Sequence, residues 1–390
     1  MKRKSILAWV LMAGLLLTGC GGGASNSELD NENKDTSVDT QEESQVADGS
    51  ETESETETES ETESETETVI EPVISTFTIT ATGDCALGSL QYHEWAASFH
   101  QYYDENGEEY FFANFREIFQ ADDMTLINLE CVFSDEEGRV EKQYNIKGKE
   151  HYTGILTSQF VEACTLGNNH SKDYGPQSLI DTQNALDAAG VLWSYNDVVS
   201  YYTTEDGLKI AVVSASTLTS DGDQTQYLYD GVAAAKEAGA NLIIACPHWG
   251  VEGDYNANGR QQELAHGLID AGADLIIGNH PHVLQGIEYY QGKLICYSLG
   301  NFSFGANRDP YDKKAGVFQQ TFTFVDGDLQ MDVDAQLIPV RVSGQNTYNN
   351  YQPILAQDGQ KEEIIQIMNN ISGALGGVTF DEEGNISISE

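Results

Sequence analysis

From residue 73 onward, short apolar runs alternate with amphipathic stretches, and this rhythm is the strongest constraint on what the chain can fold into. Strand-like runs lie at 77–81, 124–129, 208–214, 241–246 and 274–277. Helical periodicity fills the intervals at 111–120, 176–189, 231–238 and 259–271, with Pro176 near the start of one helix and Gly190 after its end. Short apolar runs joined by helices indicate buried strands with crossover connections, which predicts an α/β fold. Later the rhythm becomes that of hairpins: 286–290 and 293–299 flank Gln291-Gly292, and 318–325 and 329–340 flank Asp326-Gly327-Asp328. A mixed architecture with antiparallel strands added to a second sheet follows. A helix near 361–368 and a short hairpin through Gly384 complete the expected elements.

The first 72 residues lack this rhythm. Lys2, Arg3 and Lys4 precede an apolar run from Ile6 to Leu17, which is followed by Thr18-Gly19-Cys20. The run is short for a transmembrane span and fits a signal peptide over 1–20. The small residue before Cys20 resembles the bacterial lipoprotein signal, in which this cysteine is lipidated. That resemblance implies export and a lipid anchor at the extracellular face of the bacterial cell membrane. Glutamate occupies all nine odd positions from 51 to 67, with only Ser or Thr between them. Alternation without apolar partners cannot offset the entropy of ordering, so 21–72 is expected to be a disordered acidic tether. The folded part is expected at 73–345, with a helix and short hairpin in 346–390.

Of the formal net charge of −44, 73–390 carries −30, from 45 acids against 15 bases. A surface this acidic excludes a nucleic-acid binder. Of the six cysteines, Cys85, Cys131, Cys164, Cys246 and Cys296 follow Cys20; their number is odd and no Cys-x-x-Cys occurs. They read as small buried hydrophobes.

Polar clusters recur where strands are expected to stop, the place where ligand sites of α/β sheets are built. These are Thr82-Gly83-Asp84; Asn128-Leu129-Glu130; Gly167-Asn168-Asn169-His170 followed by 171–175; Pro247-His248-Trp249-Gly250 with Glu252; and Gly278-Asn279-His280-Pro281-His282. Four of the eight histidines fall in these clusters. Imidazoles with carboxylates and an amide oxygen suit Mn, Fe or Zn better than a calcium cage or a thiolate knot. Such a metal would lower the pKa of a bound water and neutralise charge developing on a phosphoryl oxygen. Pro281 between His280 and His282 suggests an irregular loop that turns both rings toward one place.

In order and spacing, these clusters together with Ser298-Leu299-Gly300-Asn301-Phe302 resemble the CapA family of poly-γ-glutamate capsule proteins, a branch of the calcineurin-like metallophosphoesterase superfamily. The resemblance covers 77–304 and extends toward Arg341. It implies a four-layered α/β/β/α sandwich of two mixed sheets. By position it implies divalent metal, one or two ions, on Asp84, Glu130, Asn169, His248, His280 and His282. His170, with Asp173 nearby, would act on the phosphate and leaving group. Asn168, Glu252 and Asn301 would support the ligands or the substrate. The superfamily's first motif has a histidine where Ala86 stands, so the first metal position would keep Asp84, Glu130 and His282, with Asn301 a candidate to complete it. Asn279 stands where family members often carry a histidine.

Function follows the same resemblance. It implies a surface lipoprotein that makes, exports or anchors an anionic capsule polymer, with a phosphoesterase-like hydrolase site acting on a phosphoester or related bond, in company with a capsule synthesis or export complex. The alternative is a non-catalytic, metal-containing polymer-binding or scaffold lipoprotein. Arg139, Lys142, Lys147 and Lys149 form a basic cluster, within which Lys147 and Lys149 are the candidate substrate clamp.

Overall fold

A computed structural model describes residues 71–388. Residues 1–70, with the leader, Cys20 and nearly all of the expected tether, lie outside the described residues. Two large sheets organise the molecule, and both are mixed. In spatial order the first holds Ile354–Leu355, Asp334–Arg341, Lys314–Val325, Ile74–Ala86, Met124–Leu129, Ala163–Thr165 and Leu192–Ser194, with Asn301–Phe304 also paired to the first strand. Strands from Ile74–Ala86 through Leu192–Ser194 run parallel, and the Lys314–Val325 side is antiparallel. The second sheet holds Ile287–Tyr290, Lys293–Cys296, Leu275–Ile277, Leu242–His248, Lys209–Ser216 and Ser200–Thr203, parallel except at its two edges.

Both faces of the central strands are apolar, as parallel strands require when helices or another sheet cover each side. In Lys209–Ser216, Ile210 and Val212 join Phe77, Ile79, Leu126 and Phe318 of the other sheet in one core. Ala211 and Val213 face the other way, onto Leu228, Val232 and Leu268 of the helices Thr225–Glu237 and Gly259–Ala271. On the far side of the first sheet, Ile127 and Cys164 pack with Phe115, Leu179 and Leu186 beneath helix Pro176–Ala189. Helix Asp358–Gly373 adds Ile364 and Met368 to the core shared by the two sheets. Cys85, Cys131, Cys164, Cys246 and Cys296 are free and buried, as expected of small hydrophobes.

Two helices depart from expectation. The stretch 111–120 is helical only over Arg116–Ala121, and an earlier helix, Phe99–Asn106, starts at the Ser98 cap. The helix expected from Gly231 begins at Thr225, and Gly231 lies inside it. A Cβ at Gly231 would stand 2.4 Å from Val213 Cγ1, so the glycine lets helix and strand approach rather than marking a start.

His100 on that earlier helix illustrates how burial fixes a charge state. Its Nδ1 lies 2.7 Å from the Tyr152 hydroxyl, and burial, aided by Lys149, holds its pKa down at about 4. In the unfolded chain it would titrate near ~6.5, so the unfolded state binds the proton more readily. Stability is therefore intact above pH ~6.5 and is lost as pH falls from there toward 4, by about 3 kcal/mol for this ring. His100→Gln should flatten that part of the Tm-against-pH curve. A mutant curve parallel to the parent's over this interval would count against the assignment.

Candidate metal centre

The strand Ile74–Ala86 does not stop before the first acidic residue but continues through it, with a register shift between Ala81 and Asp84. Gly83 makes this possible: a Cβ there would lie 2.1 Å from Gly300 O, and the Asp84 amide donates to that same oxygen at 2.9 Å. Asp84 and Asn301 are thereby register partners on parallel strands. At the end of Ala163–Thr165, a Cβ on Gly167 would meet Ala215 N at 2.5 Å, so this glycine lets the two sheets touch where the polar residues gather. Glu130 follows strand Met124–Leu129, held by its amide on Cys85 O at 2.7 Å, and His248 ends Leu242–His248.

His280 and His282 both have left-handed backbones, φ +100° and +58°. Non-glycine residues rarely hold such angles unless the surroundings compel them. Here the His280 amide donates to Asp84 Oδ2 at 3.2 Å, and the His280 ring stands 4.8 Å from that of His248 and 5.8 Å from that of His282. The irregular loop expected around Pro281 does gather the two rings.

A single carboxylate oxygen lies at the centre. Glu130 Oε1 is buried without a hydrogen-bond partner, with His282 Nε2 at 3.6 Å, His248 Nε2 at 3.7 Å and His170 Nε2 at 4.0 Å. His248 Nδ1 and His280 Nδ1 are likewise buried and unpartnered. Leaving the Glu130 oxygen without a partner is costly, and a cation between it and the facing imidazole nitrogens would satisfy it. Burial and the neighbouring His282 push His280 down to about 3, and burial also holds His248 well below the usual imidazole range, so both rings keep free lone pairs. At His282 burial opposes the charged form, but Glu130 and Asp84 outweigh it and raise the pKa to about 10. Burial raises the Glu130 carboxyl. The cluster can coordinate a divalent metal, and the residues present fit one.

Around this centre Asn128 acts as the junction. Its Nδ2 donates to Asp84 Oδ1 at 2.8 Å, and its Oδ1 accepts from Asn168 Nδ2 at 3.0 Å. Asn169 Oδ1 sits 2.9 Å from His248 Nε2, and Asn301 Oδ1 sits 3.0 Å from His282 Nδ1. His170 Nδ1 pairs with the buried Asp173 Oδ2 at 2.7 Å, and Lys142 reaches both that carboxylate and the Asn169 carbonyl. A cavity of about 440 Å³ opens onto His170, Glu252 and His282 and is walled by Tyr92, His93, Tyr144 and Arg308.

Lys147 and Lys149 are not brought to the cavity wall. Lys147 donates to Glu136 O at 2.5 Å and lies over the Tyr174 ring, while Lys149 is exposed. The cations at the site are Lys142, beside His170, and Arg308 in the wall. Lys142 was visible in the basic cluster, but its partner Asp173, thirty-one positions on, was not marked as such by spacing. His93 and Arg308 are lone loop residues that carry no pattern.

The chain belongs to the bacterial capsule synthesis protein PGA_cap family, whose pattern matches residues 78–306. It is 31% identical over 222 residues to the PGA biosynthesis protein CapA of Bacillus subtilis (strain 168), covering 52% of this chain and 58% of that protein. Against the capsule biosynthesis protein CapA of Bacillus anthracis it is 30% identical over 187 residues, covering 43% and 46%. The matches thus span about half the length of these two relatives. A probable polyglutamine synthesis accessory protein of Mycobacterium tuberculosis (strain ATCC 25618 / H37Rv) is 28% identical over 257 residues, covering 57% and 67%. The crystal structure of a hypothetical protein from Thermus thermophilus superposes with a TM-score of 0.44 at 14% identity, over 67% of this chain and 99% of that one, too loose a likeness to carry a fold assignment.

Proposed function

We propose that the chain is a metal-dependent hydrolase of phosphoester or related bonds on a calcineurin-like, four-layered α/β/β/α frame. Two sheets sharing one apolar core, each with helices on its other face, support the frame. The observation that carries the function is the unpartnered Glu130 oxygen ringed by three imidazoles beside an open cavity. Asp84, Glu130, Asn169, His248, His280 and His282 would hold one or two ions of Mn, Fe or Zn. When bound, such an ion supplies Lewis-acid polarisation of a phosphoryl oxygen and neutralises its developing charge. In its imidazolium form, with Nδ1–H on Asp173, His170 would give the Nε2 proton to the leaving oxygen; burial lowers the pKa of this ring, so the charged form is kept by the Asp173 carboxylate beside it. Asp173 and Lys142 fix the ring from its other nitrogen, and Arg308 is placed to meet an anionic substrate in the cavity. Turnover of a phosphodiester panel by the full chain with Mn²⁺ tests the reading; no turnover on any member would sink it.

The relatives' names support a place in making, exporting or anchoring an anionic capsule polymer, within a synthesis or export complex. A −30 domain repels such a polymer over about a Debye length, roughly 8–10 Å, so contact would be made through bound cations or the Arg308 wall. A non-catalytic scaffold is favoured by one observation: Ala86, fully buried and paired with Phe304, stands where an imidazole would serve a first metal position. The leader and Cys20 support lipid anchoring at the outer face of the membrane. A fatty-acid label should enter the parent and not Cys20→Ala; equal labelling would remove the anchor.

A further inference from the structure

Three overlapping groups of ligand atoms occupy the site, the atoms of each lying within 4.8 Å of one another: Glu130, His248 and His280; Asp84, Glu130 and His282; and Glu252, His280 and His282. The first two use residues that the family resemblance assigns to metal. The third shares His280 and His282 with them and adds Glu252, which the resemblance does not assign to metal and which the loop after strand Leu242–His248 carries to the cavity wall.

That loop is stitched directly to the histidine loop. Trp249 is buried and anchors the start through Nε1 on Tyr297 O at 2.9 Å. Gly250 and Gly253, with φ +82° and +75°, turn the chain on either side of Glu252. Gly253 N then donates to Pro281 O at 2.8 Å, and Gln285 Nε2 holds Asp254 O at 2.8 Å. The loop that carries Glu252 is thereby held against His280-Pro281-His282. His280 offers a buried, unpartnered Nδ1.

We propose that Glu252, His280 and His282 form a metal position at the cavity wall. Two imidazoles and one carboxylate, with the remaining coordination open to a cavity, form the donor set that binds catalytic rather than structural zinc. Because Glu252 is exposed, the ion it holds exchanges with solvent more readily than one beside the buried Glu130. The inference deepens the metal reading above but does not depend on turnover.

The test strips the full chain with a chelator and titrates it with Zn²⁺ against a chromophoric competitor, and with Co²⁺ followed by its visible absorption. Glu252→Gln should weaken the most labile binding step by at least about tenfold and change the Co²⁺ spectrum of that step, with Glu252→Asp intermediate. His100→Gln, whose ring lies against Tyr152 and outside the cluster, should leave that step intact. Matching metal-free melting curves exclude misfolding as the cause. A Glu252→Gln protein that binds as many ions, as tightly, as the parent overturns the proposal. If the parent turns over no phosphodiester but keeps the Glu252-dependent step, the hydrolase reading fails and this one stands.

Discussion

His170→Ala should lower kcat on a phosphodiester with an alkoxide leaving group by about 10²–10⁴-fold, while affecting a p-nitrophenyl ester by no more than about tenfold. The difference follows from the assigned proton. An alkoxide cannot depart without receiving one, whereas a nitrophenolate leaves as a stable anion. The geometry that lets His170 donate is specific: Nδ1–H is committed to Asp173 at 2.7 Å, so the imidazolium form carries its transferable proton on Nε2, 4.0 Å from Glu130 Oε1. Asp173 is itself fixed, accepting from the Ile146 amide at 2.5 Å and pairing with Lys142. Asp173→Asn should therefore give the same leaving-group pattern with a smaller loss, because it disturbs the ring without removing it. Equal losses on both esters would assign His170 to substrate binding instead of proton transfer.

Glu130→Gln is expected to weaken Zn²⁺ or Mn²⁺ binding at least about a hundredfold, equivalent to ~3 kcal/mol. Glu130 enters two of the three ligand groups, and its Oε1 has no competing hydrogen bond to lose. An amide of the same shape keeps the packing but removes the charge that balances the cation. Asp84→Asn should cost less metal affinity, since Asp84 enters one group and also accepts from Asn128 Nδ2 and the His280 amide. A competition titration of the chelator-stripped chain reads both variants on one scale. Parent-like affinity in Glu130→Gln would show that the buried oxygen is not a ligand.

Much of the frame could be read before any coordinates because its elements announce their ends. Helix 176–189 has Pro176 at its first turn and Gly190 in the left-handed region at its close, and helix 259–271 opens on the Asn258–Gln261 capping box. Helix Thr225–Glu237 was harder to read because Gly231 serves a packing contact with Val213 in mid-helix. Strands Ala163–Thr165 and Leu192–Ser194, three residues each, are too short to show a period.

The metal-capable residues were legible for a related reason: each follows an apolar run, so topology brings them to one end of the sheets. The cavity wall was not, because Tyr92, His93 and Arg308 come from loops whose convergence depends on tertiary contacts such as Arg308 Nη2 to Glu94 O at 2.6 Å. Distance along the chain likewise did not separate Lys142 from Lys147. Strand Ile146–Gly148 pairs with Ser89–Leu90 and Val132–Phe133, and Lys147 turns its ammonium to Glu136 O, away from His170.

The first strand also has a directional consequence. It enters the sheet at Ile74, paired with Val325, and delivers Asp84 at the opposite end, beside Asn301. Ten residues of strand separate those points by about 33 Å. The first described strand therefore enters the fold at the pole remote from the cavity, and the mouth beside His170 and Glu252 is left free of it.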